Sequence, residues 1–139
     1  MSKFPSAKPK KAAFGKTSGE AITPNPDRMP PIFSFEYMKG GNGYSIDCCN
    51  DDHRSALASR LFLLTKMSWM EIRNAPRHGL GSETISKTSI KPALPTAVTE
   101  DVTLIALRYN GKCPMVGFRD GRVFHILYLD HSMDCYPHD

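Results

Sequence analysis

The last third of the chain contains the side chains best suited to chemistry: Arg108, Arg119, Arg122, His131 and Tyr136. An imidazole can take up or release a proton near neutral pH. A guanidinium can hold two phosphate oxygens at once because its donors form a planar fork. Cleavage of a phosphodiester without a metal requires these groups: one accepts the proton of the attacking hydroxyl, one protonates the leaving oxygen, and cations hold the charged intermediate.

Three strands must position these residues. The apolar and aromatic runs 103–109, 112–119 and 122–130 are separated by Asn110-Gly111 and Asp120-Gly121, dipeptides that favour two-residue hairpin turns. They predict an antiparallel meander. Its predicted register pairs Arg108 with Cys113, Ile105 with Val116, and Phe118 with Val123.

Alternation along these strands predicts two different faces. The face covered by helices should hold Ile105, Leu107, Val116, Phe118, Val123, His125, Leu127 and Leu129. The other face should be the working surface, with Leu104, Ala106, Arg108, Cys113, Met115, Gly117, Arg119, Arg122, Phe124, Ile126 and Tyr128. On the covered face, His125 is expected to be a core histidine.

The preceding residues predict two helices. Asn50 and Asp51 can cap a helix over 53–67, in which Leu57, Leu61 and Leu64 form an apolar stripe. Ser68 and Glu71 match the capping box of a second helix over 69–74. In this helix Trp69 is expected to be a packing anchor rather than a base-stacking residue.

Shorter elements complete the domain. Residues 32–37 and 44–49 read as strands around a glycine-rich turn. Apolar residues recur with no regular spacing in residues 76–100, which predicts a long loop that contains His78. A short strand within this segment is the alternative.

The order of these elements resembles the RelE/ParE toxin superfamily. The specific resemblance lies in Leu107-Arg108-Tyr109, Val116-Gly117-Phe118-Arg119, the run 123–130, and Asp134-Cys135-Tyr136. It implies an α+β fold with two helices on one face of an antiparallel sheet that ends in a three-stranded meander. It also implies a toxin-type endoribonuclease of a toxin–antitoxin pair, cleaving mRNA without metal or cofactor, with or without the ribosome, and bound by a cognate antitoxin.

The resemblance and the residue types together predict a site. His131, Tyr136, Arg119 and His78 would be catalytic. RNA would contact Arg108, Lys112, Arg122, Tyr128, Lys8, Lys10 and Lys11. Each arginine also has a simpler interpretation, since charged residues flanking turns are commonly solvated.

The N-terminal residues differ from the rest in composition. Residues 1–31 carry the whole net charge of +4 and six of the 11 prolines, without apolar periodicity. This composition predicts a flexible basic leader, followed by a single domain over 32–139. The leader could add phosphate contacts through its lysines or be a solvated tail without a specific role.

The sequence also limits the location and the ligands of the protein. No apolar run is long enough for a membrane span, and no signal peptide is evident, so a cytoplasmic protein without membrane association is expected. The four cysteines lack metal-ligand spacing and are expected to be reduced thiols. A composite metal site from Cys135, His138 and a distant cysteine is the alternative.

A second function class uses the same fold. The chain could be a non-enzymatic protein-binding module or a mobile-element inhibitor, with Met115, Phe124, Ile126 and Tyr128 as an apolar contact patch rimmed by arginines. A metal-dependent nuclease is not favoured, because the sequence has no ordered acidic or His/Cys motif.

Overall fold

The computed structural model describes residues 24–76, 79–80 and 82–138 of an α+β domain. Its strands and helices follow in the order β1 (Ile32–Ser34), α1 (Asp51–Leu64), α2 (Trp69–Asn74), β2 (Ser82–Ile85), β3 (Leu104–Asn110), β4 (Cys113–Asp120) and β5 (Val123–Leu129). Short 3₁₀ turns lie at Pro26–Arg28, Ile46–Cys48 and Lys87–Ser89. None of the described helices is long and apolar enough to cross a membrane.

The two helices begin where their caps predict. The Asn50 side chain accepts a hydrogen bond from the backbone N–H of His53 at 3.0 Å and starts α1. The Ser68 hydroxyl accepts from the Glu71 N–H at 3.1 Å, and the Glu71 carboxylate accepts from the Ser68 N–H at 2.8 Å. The predicted capping box and the bounds of α2 are therefore confirmed, whereas α1 ends three residues earlier than predicted.

The sheet has five strands in the order β1-β5-β4-β3-β2. It is mixed rather than antiparallel, because β1 runs parallel to β5. The alternative of a short strand within 76–100 is confirmed by β2, which pairs with β3.

The predicted strand over 44–49 is wrong, since this segment contains the 3₁₀ turn Ile46–Cys48. The Ser45 hydroxyl accepts a hydrogen bond from the Gly41 N–H at 3.0 Å and bonds to the Asp47 carboxylate. Such local side-chain bonds compete with the pairing of an extended strand.

Both hairpins of the predicted meander form, but they close one residue later than predicted. Asn110 pairs with Cys113, and Asp120 pairs with Val123. Each loop therefore begins with a glycine at positive φ, 56° for Gly111 and 62° for Gly121. A glycine at the first loop position is typical of a type II′ turn, whereas the prediction placed it second, as in a type I′ turn.

A bulge at Tyr109 changes which face β4 presents. Beyond it Ile105 pairs with Gly117, not with Val116 as predicted. Since the side-chain period of a strand is two, this one-residue shift reverses the faces of β4 and most of β5. Met115 consequently lies under the helices, in the core formed by Cys49, Leu57, Leu64, Trp69, Ile72, Leu107, Tyr109, Phe124, Ile126 and Leu129.

The predicted working face is not open. Val116, Phe118 and Leu127, which were predicted under the helices, belong to a second core with Ile85, Leu104, Ala106, Tyr128, Cys135 and Tyr136. Loop residues cover this core from outside: Tyr37, Tyr44, Ile90, Leu94, Ala97, Val98 and Val102. The residues of the apolar patch predicted for a binding module are therefore buried, and they are divided between the two sides of the sheet.

The described part of the predicted leader, residues 24–31, packs against the domain. The backbone carbonyl of Met29 accepts from the Trp69 N–H at 3.1 Å. The Pro30 carbonyl accepts from Nε of Arg122 at 2.9 Å. The domain thus begins before residue 32, and the remainder of the predicted leader, with Lys8, Lys10 and Lys11, lies outside the described residues.

Candidate active site

His53 lies in the first turn of α1, where the helix meets the end of β3. Its Nδ1 is 2.8 Å from the Tyr109 hydroxyl, and the two rings are 5.7 Å apart with an interplanar angle of 63°. Within the described residues its Nε2 makes no hydrogen bond. The contact with Tyr109 therefore fixes the orientation of the ring and leaves Nε2 available for proton transfer.

Tyr109 is the buried support of this histidine. It occupies the bulge of β3 and is almost fully enclosed. Burial raises the pKa of Tyr109, and the neighbouring Cys49 raises this pKa further. The hydroxyl thus keeps its proton at neutral pH, and it can donate this proton to the Cys49 thiol while its oxygen accepts from Nδ1–H of His53.

His131 completes a pair of imidazoles. It follows β5, and its ring centroid is 6.1 Å from that of His53. Its Nε2 is 2.8 Å from the Gly43 carbonyl, and its Nδ1 is 3.2 Å from the Ser132 hydroxyl. The Gly43 carbonyl can only accept, so Nε2 carries the proton and Nδ1 accepts from Ser132 in the neutral ring.

Two thiols lie behind the histidine pair. The Cys113 sulfur is 3.7 Å from the His131 carbonyl, and Cys49 neighbours Tyr109. Burial raises the pKa of both thiols. They are therefore protonated and poorly nucleophilic at neutral pH.

The structure does not bring the predicted arginines together. Arg108 lies opposite Pro114, and Arg119 lies five residues further along β4 on the opposite face. At about 3.3 Å per residue, their backbones are roughly 17 Å apart. Arg119 stacks on Trp69 and pairs with Asp27, so the predicted single concavity with two arginines is wrong.

The other predicted site residues have separate surroundings. Tyr128 is buried, and its hydroxyl donates to the Ala93 carbonyl at 2.9 Å. Tyr136 is only 7% exposed, and its ring lies 4.2 Å from the ring of His138. Neither tyrosine can stack on a base in this arrangement. His78 lies outside the described residues.

Lys112 is exposed in the β3–β4 hairpin, next to Cys113 and three residues after Tyr109. Its neighbour Cys113 contacts the His131 carbonyl, so Lys112 is adjacent in sequence to a residue of this site.

Sequence reasoning missed His53 and Tyr109. The capping of α1 by Asn50 could have placed His53 in the first helical turn, but nothing local indicates its neighbour in β3, 56 residues later. Tyr109 entered the prediction only as part of the Leu107-Arg108-Tyr109 motif, without a role in the site.

No metal centre forms within the described residues, because they contain no group of three or more His, Cys, Asp or Glu side chains that could hold an ion. The composite site predicted from Cys135 and His138 is not formed. His138 instead bonds to the carboxylate of Asp130 at 2.7 Å.

Comparison with protein-family models, with curated proteins and with solved structures gives no match for this chain.

Proposed function

We propose that the protein is a metal-independent endoribonuclease whose acid and base are His53 and His131. The observation that supports this most is the pair of half-buried imidazoles with ring centroids 6.1 Å apart. One imidazole can accept a proton while its neighbour donates one, as general acid–base catalysis requires.

In the proposed reaction His53 is the general base and His131 is the general acid. His53 takes the proton of the ribose 2′-hydroxyl through Nε2, which is unprotonated when Nδ1–H donates to the Tyr109 hydroxyl. The 2′ oxygen forms a bond to phosphorus, and the bond from phosphorus to the 5′ oxygen breaks. Protonated His131 donates its Nδ1 proton to the leaving 5′ oxygen, which replaces the Ser132 hydroxyl as the partner of Nδ1, so the products are a 2′,3′-cyclic phosphate and a 5′-hydroxyl. Lys112, exposed in the hairpin that carries Cys113, supplies positive charge for the RNA backbone.

The order of the helices and strands supports a more specific function for this ribonuclease. Two helices precede the C-terminal meander and cover one face of it, as in the RelE/ParE toxins that the sequence resembles. We therefore extend the proposal to a toxin that cleaves mRNA, free or on the ribosome, and that a cognate antitoxin holds inactive. In this scheme the protein acts in the cytoplasm.

The proposal is tested by incubating the purified protein with a labelled RNA in the presence of EDTA. The unmodified protein should cleave the RNA and leave 2′,3′-cyclic ends. His53→Asn and His131→Asn should each reduce the rate by at least about 100-fold, since a general acid or base contributes a factor of that order. His138→Gln serves as the control, because His138 bonds to Asp130 and does not contact the pair.

Two results would contradict this assignment: cleavage that requires a divalent metal, or cleavage that survives both single substitutions while the variants remain folded. Expression in cells gives an independent readout. The unmodified protein should arrest growth, and His131→Asn should relieve the arrest.

A protein-binding module is the second candidate function. It is favoured by Phe62 and Leu63, adjacent residues on α1 that are 67% and 45% exposed. Exposed aromatic and aliphatic side chains of this size are typical of contact surfaces. Tolerated expression, together with loss of a co-purifying protein in Phe62→Ser, would favour this function over RNA cleavage.

A further inference from the structure

Two arginines from different elements converge on one carboxylate at the far end of the sheet. Nη2 of Arg119, from β4, lies 2.7 Å from Oδ1 of Asp27. Nη1 of Arg73, from α2, lies 3.2 Å from Oδ2 of the same side chain. Each carboxylate oxygen therefore has its own guanidinium, and the second cation is not needed to neutralise a single negative charge.

Two contacts within the domain hold the Arg119 side chain in place. Its guanidinium carbon lies 4.3 Å from the centre of the Trp69 ring, and its Nε donates to the Gly121 carbonyl at 3.1 Å. Trp69 is itself held by a hydrogen bond of 2.9 Å from its indole N–H to the Arg122 carbonyl. An arginine stacked on an aromatic ring is preorganised, so it loses little freedom on binding an anion.

Asp27 belongs to a short turn that can leave the arginines without unfolding the domain. It lies in the 3₁₀ turn Pro26–Arg28, and its side chain is 31% exposed. The following residues are anchored separately, by the hydrogen bonds of Met29 to Trp69 and of Pro30 to Arg122. The carboxylate can therefore move away while β1 remains paired with β5.

We propose that Arg73 and Arg119 form a phosphate-binding site that Asp27 occupies as an intramolecular competitor. A phosphate group offers more oxygens and more negative charge than a carboxylate, and two guanidinium forks match it. The arginines and the stacked tryptophan come from the body of the domain, whereas the competing anion comes from the segment before β1.

This site is independent of the proposed catalytic pair. Arg119 and Val123 lie where β5 begins, whereas His131 follows the end of β5. The strand has seven residues, which separates the two sites by about 20 Å. Phosphate binding at Arg73 and Arg119 can therefore be measured whether or not the protein cleaves RNA.

The test uses the only tryptophan of the chain, Trp69, as a fluorescent reporter beneath Arg119. Inorganic phosphate is titrated at constant ionic strength into the full-length protein. Asp27→Asn should bind phosphate at least tenfold more tightly than the unmodified protein. Adding Arg73→Gln to this variant should abolish the gain.

Asp51→Asn is the matched control, because Asp51 also pairs with an arginine, Arg54, at 3.4 Å on the surface. It removes the same charge far from Trp69 and should leave phosphate affinity unchanged. An equal gain in Asp51→Asn, or no gain in Asp27→Asn, would overturn the proposal.

A second measurement applies if Asp27→Asn does not fold. Phosphate should raise the Tm of the unmodified protein above that in sodium chloride of equal ionic strength, and Arg73→Gln should remove this rise. No rise in the unmodified protein, or an equal rise in Arg73→Gln, also overturns the proposal. Single-stranded DNA hexamers with and without a 5′ phosphate then distinguish a terminal phosphate from a backbone phosphodiester as the natural ligand.

Discussion

The carboxylate of Asp130 and the imidazole of His138 form a hydrogen bond of 2.7 Å, although the Asp130 side chain is completely buried. The other carboxylate oxygen accepts from the backbone N–H groups of Asp134 and Cys135, at 2.8 and 3.0 Å. The Asp130 side chain thus holds the segment that follows β5 in place, and it positions Cys135 and Tyr136, which belong to the second core.

Replacing Asp130 by alanine should therefore destabilise the domain by about 3 kcal/mol, because two backbone donors and an imidazole lose their acceptor inside the protein. Equilibrium unfolding in urea measures this loss. Asp134→Asn is the control, since among the described residues its exposed side chain accepts from the Tyr44 hydroxyl alone. We expect its loss to stay below about 1 kcal/mol. Equal losses in the two variants would contradict the role assigned to Asp130.

Gly117 should not tolerate any side chain. A Cβ at this position would lie 2.0 Å from the backbone carbonyl oxygen of His125 in the neighbouring strand. Gly117→Ala must therefore separate β4 from β5, with a loss of more than about 3 kcal/mol or no folded protein. Gly40→Ala is the control, because its added Cβ would meet only the Asp47 side chain at 3.6 Å. Circular dichroism and thermal unfolding distinguish the two.

Asp27 should contribute stability that disappears in acid. Hydrogen bonding to Arg119, followed by that to Arg73, lowers the pKa of Asp27 below its usual value. Protons therefore bind more tightly to the unfolded chain, and the contribution is complete above about pH 3.9, the ordinary aspartate pKa. It is lost as pH falls through the lower pKa of the folded state. The difference in unfolding free energy between the unmodified protein and Asp27→Asn should be constant above pH 5 and shrink below pH 4.

Two residues near the end of α1 should respond very differently to truncation. Leu64 is fully buried, whereas Phe62 is mostly exposed. Leu64→Ala should cost about 2–5 kcal/mol because it leaves a cavity under the helix. Phe62→Ala should change stability by no more than about 0.5 kcal/mol. Comparable losses, measured by urea unfolding, would mean that α1 presents a different face to the sheet.

Local signals predicted most of the elements. The capping box of Ser68 and Glu71 defined α2, and the two glycine-containing turns defined the meander. These signals act over two to four residues, so the sequence displays them directly. Segment 44–49 was predicted wrongly because the Ser45 and Asp47 side chains bond to the local backbone and to each other, which the apolar pattern does not reveal.

The faces of the sheet were harder to predict. They depend on the bulge at Tyr109, where one additional residue reverses the faces of β4 and of most of β5. The turn rules locate the two hairpins to within one residue but say nothing about a bulge in the adjoining strand. For the same reason the predicted gathering of Arg108 and Arg119 failed, whereas His131 remained a candidate because it lies beyond the ladder.

Because β1 pairs with β5, it can join the sheet only late in the synthesis of the protein. Pro30 and Arg122 are hydrogen-bonded across 92 positions of sequence, and Ile32 lies beside Val123. A growing chain therefore leaves the ribosome with β1 unpaired until nearly the whole domain has been translated. Contacts this distant in sequence make folding slow. During that interval Phe33 lacks the Phe124 ring that it contacts in the folded domain, so the nascent chain carries an unpaired apolar strand.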